Sequence, residues 1–208
     1  MRSRTILISH TFAGIIAALQ LFGAVPQSKS AKKISIEEQS LFSAEQDDVD
    51  EPVLHPVSLP AGALRVLGES EDVTSCLKRE GVPRDKIPAS WFVASRIRLD
   101  GPRETDFVVL PNLTLNAGPE GPNAAMCFLG ANIASFWVVR KTSHGYQLAL
   151  AVRSHDLEIS KNRTKGLRDI KAIAIMQAGT YISTVIYRFD GKTYRQSKVD
   201  NTLPTPNE

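Results

Sequence analysis

Phe136-Trp137-Val138-Val139-Arg140-Lys141-Thr142-Ser143-His144-Gly145-Tyr146-Gln147-Leu148 and Val185-Ile186-Tyr187-Arg188-Phe189-Asp190-Gly191-Lys192-Thr193-Tyr194-Arg195 are two versions of one pattern. In each, an apolar run ends in an arginine, a short polar turn with a glycine follows, and a tyrosine stands six positions after the arginine. Asp190-Gly191 between β-prone runs is the strongest hairpin signal in the chain. A second matched element precedes each hairpin. Thr105-Asp106-Phe107-Val108 leads into the first and Arg168-Asp169-Ile170-Lys171 into the second, with Asp106 and Asp169 standing 63 positions apart. The expectation is a β unit used twice.

Further strands are expected at Trp91–Leu99, Asp106–Leu110, Leu157–Ser160, Asp169–Met176 and Tyr181–Phe189, and a Gly/Pro/Asn-rich loop at 112–123. Two helices precede them. Ser58-Leu59-Pro60 reads as a helix start. A second helix is expected over Ser70–Glu80, with Glu71 and Asp72 at its start, Lys78 and Arg79 at its end and Gly81 as its cap. Val73, Cys76 and Leu77 share one face of it, which turns Cys76 inward. The fold expected is mainly β (α+β): an antiparallel sheet or sandwich of two related β units with two short N-terminal helices.

The basic start Arg2/Arg4, the apolar run Ile6–Val25 and the small residues around Ser28–Ala31 read as a secretory signal over 1–30. Removal of that signal leaves no expected membrane span, and a secreted or periplasmic location follows. Between Ala31 and Leu59 two lysines face seven acids, whereas from Pro60 onward twenty cations face fifteen acids. Residues 31–57 therefore read as a disordered acidic linker, 58–201 as the globular domain and 202–208 as a frayed tail. Export permits a Cys76–Cys127 disulfide; two buried thiols are the alternative.

Arg98-Leu99-Asp100-Gly101-Pro102-Arg103-Glu104-Thr105-Asp106-Phe107-Val108-Val109 resembles a degenerate FG-GAP/VCBS repeat. The stretch from Cys76 to Tyr194 is similar to small secreted bacterial proteins. In an intact repeat of that kind, acids at the first, third, fifth and ninth loop positions hold calcium, and several blades close a propeller. Here Asp100 and Asp106 keep the third and ninth positions, while Arg98 and Pro102 take the first and fifth. In the second copy Lys161, Arg163 and Lys165 take the first, third and fifth, and Asp169 keeps the ninth. Cations at those places repel a dication that needs six to eight oxygen ligands. The resemblance thus implies loops without calcium, in which Arg98 and the Lys161–Lys165 row pair internally with Asp106 and Asp169.

No cofactor or metal ligand set is expected. Ser154-His155-Asp156 has triad residue types, but neighbours on a strand point to opposite faces. His144 and His155 read as solvated turn residues. The basic row Lys161, Arg163 and Lys165, together with Arg140, Tyr146, Arg188 and Tyr194 beside the hairpin turns, are the candidate binding residues. No aromatics interleave with the cations, which argues against nucleic acid. A macromolecular partner such as a polyanionic envelope component fits better. The leading reading is an exported, non-enzymatic binding or structural module. The alternatives are a hydrolase of envelope or polysaccharide, drawing on Glu104, Asp106, Glu158 and Asp169, or an inhibitor of a cell-wall hydrolase.

Overall fold

Two antiparallel sheets grow from the β-prone runs after Trp91. The computed structural model describes residues 38–44, 53–101, 105–112, 125–176 and 181–203, all of which fall in one unit, Glu37–Glu208. The expected export signal lies outside the described residues, as do 31–37 and 45–52 of the expected linker and 204–208 of the expected tail.

The first sheet contains β2 (Phe92–Ile97), β3 (Asp106–Pro111), β5 (Ile133–Thr142) and β6 (Gly145–Ser154), with the short β4 (Leu129–Gly130) also paired to β5. The second runs in the order β1 (Leu41–Ser43), β7 (Asp156–Thr164), β8 (Leu167–Met176), β9 (Tyr181–Phe189), β10 (Tyr194–Thr202). Every pairing is antiparallel.

Three helices lie on the first sheet: α1 (Ala61–Leu67), α2 (Glu71–Arg79) and α3 (Ala125–Phe128). α2 ends in a Schellman motif, with Val82 N–H donating to Leu77 O at 2.9 Å and Gly81 N–H to Lys78 O at 3.4 Å. Gly81 adopts φ 67°, the left-handed conformation that this cap needs. Ser70 stands at the N-cap of α2, but its hydroxyl serves the sheet, accepting the indole N–H of Trp137 at 3.0 Å. Sequence periodicity anticipates α1 and α2 and misses α3.

Two cores result. Between the sheets, Val108, Phe136, Val138 and Leu99 meet Phe42, Leu157, Ile170 and Phe189. On the other side of the first sheet, Trp137, Val109, Phe92 and Phe107 meet Leu67, Val73, Leu77 and Phe128. Trp137 is fully buried there, edge-on to Phe92 at 5.4 Å and to Phe128 at 5.1 Å. Both faces of the first sheet are therefore covered, which is why β3 is buried along its whole length.

The expected duplication appears in the register. β2-β3-β5-β6 and β7-β8-β9-β10 are two four-stranded meanders in the same strand order. Asp106 stands one step from the Phe107–Val139 pair, opposite Arg140, and Asp169 one step from the Ile170–Tyr187 pair, opposite Arg188. Across the two hairpins, Lys141 pairs with Tyr146 where Phe189 pairs with Tyr194. The sheets stack in one sense. The first turns its Asp106/Val108 face inward, and the second meets it with the Ile170/Tyr194 face, so that Asp169 points the other way.

Three sequence expectations need correction. Residues 38–44 of the supposed linker form an edge: β1 pairs with β7, Phe42 is wholly buried, and Val53 is 2% exposed. Thr202, placed in the tail, is the last paired residue of β10. Lys161–Thr164, read as a loop, continues β7 to a two-residue turn at Lys165-Gly166. That turn has φ 50° and 86° at its two residues, the left-handed pair that a tight hairpin requires.

The edge strands are blunted. β6 carries a bulge at Ala149, whose carbonyl accepts the Thr193 hydroxyl at 2.9 Å. β10 carries another bulge between Gln196 and Lys198. Val57 bridges Ala94 at the edge of β2. Bulges and charges of this kind discourage edge-to-edge association.

Candidate anion-binding cleft

The strand ends beside the β7–β8 turn converge on a cleft of about 580 Å³ lined by Glu38, Arg98, Gly101, Lys161, Arg163 and Arg168. Among the described residues, four cations and one carboxylate line it. Lys161 and Arg163 are alternate residues of β7 and both are exposed. Neither has a carboxylate partner among the described residues, although Arg163 is oriented by two carbonyls, Leu99 O and Gly166 O, each at 2.9 Å.

Arg168 forms the floor. Its guanidinium donates to Ser160 O at 2.7 Å, to Ile159 O at 2.8 Å and to Glu38 Oε1 at 3.2 Å. Glu38 Oε1 also accepts the backbone N–H of Arg98 at 2.8 Å. Arg163 and Arg168 are thus held in place at a cationic basin, with the Glu38 carboxylate at its inner wall.

Lys165 does not join the basin. It sits in the turn and donates to Asp190 O in the neighbouring hairpin. Asp190 in turn accepts the backbone N–H groups of Thr193 and Lys192, and those two bonds, with Arg195 nearby, hold its carboxyl down at about 2.

The other candidate residues are structural in their contacts. Tyr146 lies beneath α1, where a side chain at Gly62 would meet its ring at 3.0 Å, and Lys141 Nζ sits 4.2 Å from its centroid. Tyr194 is 4% exposed and donates to Arg168 O at 2.6 Å; burial first, then the carboxylates Asp106 and Asp169, push its hydroxyl far above the usual range. Both candidate tyrosines therefore pack under a neighbouring layer, Tyr146 under α1 and Tyr194 between the sheets. Arg140 reaches Asp100 at 3.3 Å and lies 5.2 Å over the Phe189 ring, linking the two sheets. Arg188 is half exposed and contacts Asp169 at 3.5 Å.

Among the described contacts neither aspartate pairs with Arg98 or the Lys161–Lys165 row; other residues meet them. Asp106 Oδ1 accepts the Lys141 N–H at 2.8 Å and Oδ2 the Leu99 N–H at 3.2 Å, with Arg140 opposite. Asp169 is met by Arg188. The cations come from the adjacent strand, while Lys161, Arg163 and Lys165 turn elsewhere.

Among the remaining acids, Glu158 is bound to Lys171 at 2.9 and 3.1 Å, and Glu104 lies outside the described residues. His144 is exposed in its turn, as expected. His155 is not: it is 4% exposed, and its backbone N–H donates to Ile173 O at 2.8 Å. Cys76 and Cys127 are joined in a disulfide, so the cluster they form with Glu80 offers no thiolate to a metal. No helix among the described residues is long and apolar enough to cross a membrane.

Comparison of the chain with protein-family models, with curated proteins and with solved structures finds no match. The cleft is thus read from its own chemistry. It was only half legible in sequence, because Glu38 and Arg98 stand 60 positions apart and Glu38 and Arg168 stand 130 apart.

Proposed function

We propose that the protein is an exported, non-enzymatic binding module that receives an anionic group of a macromolecular partner in the Arg98/Lys161/Arg163/Arg168 cleft. The observation that carries this reading is that Lys161 and Arg163 line one cleft beside Arg168 with no carboxylate partner of their own among the described residues. The acids support it as well: Asp106, Glu158 and Asp169 are each engaged by backbone or cation, whereas a glycosidase of the usual kind needs two carboxyls facing one another in a pocket. The disulfide fits an oxidising compartment. The matched places of Asp106 and Asp169 in their meanders support kinship with degenerate FG-GAP/VCBS units.

Binding of polyglutamate and of polyphosphate, followed by titration at low ionic strength, tests the cleft. Exposed ion pairs contribute under ~1 kcal/mol each, so the double substitution Lys161→Ala/Arg163→Ala is expected to weaken binding by about tenfold. Raising the salt should weaken wild type more steeply than the variant. Unchanged affinity in the variant would remove the cleft from the account.

Calcium is not part of this reading. Both oxygens of Asp106 already accept backbone N–H groups, and arginine stands opposite both Asp106 and Asp169. Millimolar calcium or a chelator is expected to move the melting temperature by less than about 1 °C, since only a ligand of the native state stabilises it. A rise of several degrees with calcium would restore the metal.

A further inference from the structure

The segment Glu38–Ser43 is seated as a peptide ligand would be. It adds one short strand to the edge of β7, pairing Leu41 with Glu158, Phe42 with Leu157 and Ser43 with Asp156. Main-chain bonds run from Ile159 N to Ser40 O at 2.8 Å and from Ala44 N to His155 O at 2.7 Å. Phe42 is the single apolar anchor, fully buried in the inter-sheet core. Glu38, four residues earlier, places its carboxylate on Arg168 and on the Arg98 N–H. Main-chain pairing for affinity plus side-chain pockets for specificity is how extended peptides add to a sheet edge.

The occupant does not match the charge of its groove. Among the described residues its one carboxylate, Glu38, is taken up by Arg168 and the Arg98 N–H, and Lys161 and Arg163 beside it have no acid. β7 does not depend on this strand for its own place, being paired along its other side to β8.

We infer that the β7 edge and the basic cleft together form a groove for an extended acidic segment of a partner polypeptide, with a carboxylate four residues before an aromatic. Glu38–Ser43 is the tethered occupant that such a segment displaces. The anionic half of this inference rests on the cleft reading above; the strand-addition half rests on β1 and Phe42.

The probe is a fluorescent peptide of residues 37–44 (Glu-Glu-Gln-Ser-Leu-Phe-Ser-Ala) added to the full chain. With Phe42→Ala in the full chain the resident strand loses its anchor, and the peptide is expected to bind at least ~10-fold more tightly than to wild type. Replacing the peptide's own phenylalanine by alanine should abolish that gain, and replacing its second glutamate by glutamine should reduce it. A variant with native circular dichroism that does not bind the peptide overturns the inference, as does equal binding of the phenylalanine-free peptide. Should Phe42→Ala fail to fold, the wild-type chain gives the same decision. Excess unlabelled peptide should then speed hydrogen exchange at the Ala44 amide by ~10-fold or more, as expected for a locally released strand; no acceleration counts against the groove. Polyglutamate binding that ignores Lys161→Ala/Arg163→Ala while the Phe42-dependent peptide binding persists would remove the cleft reading and leave strand addition standing.

Discussion

Reduction of the Cys76–Cys127 disulfide is expected to lower the melting temperature by roughly 8–16 °C in a chain of this size. The two cysteines are 51 positions apart in sequence. Opening a loop of that length returns conformational entropy to the unfolded chain corresponding to about 4 kcal/mol. The folded side adds to this. Cys76 projects inward from α2, and Cys127 lies on α3 next to Phe128, whose ring packs edge-on against Trp137 at 5.1 Å. The bond therefore holds α3 against the aromatic centre of the second core, and its loss loosens Phe128 as well as the loop. Scanning calorimetry of the oxidised chain and of the chain held in a phosphine reductant measures the difference. Melting temperatures within about 2 °C of one another would mean that the unfolded chain gains almost nothing from release, contrary to the loop-entropy account.

How far the fold could be read in advance depends on where apolar residues repeat. Most strands of the two meanders and the helix α2 carry their own periodicity, and the bounds read for β3, β8, β9 and α2 agree with the structure to within a few residues. Leu41-Phe42 failed for the opposite reason. Two apolar residues in an acidic neighbourhood look like linker to any averaging window, yet Phe42 alone fills a place in the inter-sheet core. Lys161–Thr164 failed because a polar strand has no alternation to display; its pairing with β8, Arg163 opposite Arg168, makes it a strand. α3 has four residues, too few for a helical period.

Side-chain direction was harder still. Alternation says which residues share a face but not which face is inward, and in the first sheet both faces are covered. Tyr146 went under α1, while its counterpart Tyr194 went between the sheets. The two tyrosines occupy equivalent places in their hairpins and the same face of their meanders; the neighbouring layer differs. Lys161 and Arg163 were recognisable as a row, but the cleft also needs Arg98, Arg168 and Glu38, which no local motif joins.

The equivalence of the two meanders makes the second large prediction a comparison. Asp106→Ala is expected to destabilise by about 3–5 kcal/mol, the cost of breaking a buried charged network on one side. Asp106 is fully buried, and its loss strands the N–H groups of Leu99 and Lys141 and leaves Arg140 without its facing carboxylate. Asp169→Ala, at the matching position, should cost less than about 1.5 kcal/mol, because Arg188, its ionic partner among the described residues, is half exposed. Its Oδ1 has no hydrogen-bond partner among the described residues. Equal losses in urea titrations of the two variants would mean that the facing layer does not decide the energetics.

Asp106 also sets a pH signature. Burial raises its carboxyl above the ordinary 3.8, against the lowering effect of the Lys141 and Leu99 N–H groups; Asp100 raises it further and Arg140 lowers it. The folded state then binds this proton more tightly than the unfolded chain does. The stability so gained is complete below 3.8 and is lost as pH rises through the folded value. Asp190 runs the other way: held at about 2, it contributes stability above 3.8 that is lost as pH falls towards 2. Because Asp190 is common to both proteins, its effect cancels in the difference between wild type and Asp106→Asn. The wild type should therefore gain on the asparagine variant as pH falls from neutrality towards 3.8, the side on which Asp106 takes up its proton. Parallel stability curves across that range would show that the Asp106 proton is bound equally in both states, and that the paired N–H groups fully offset its burial.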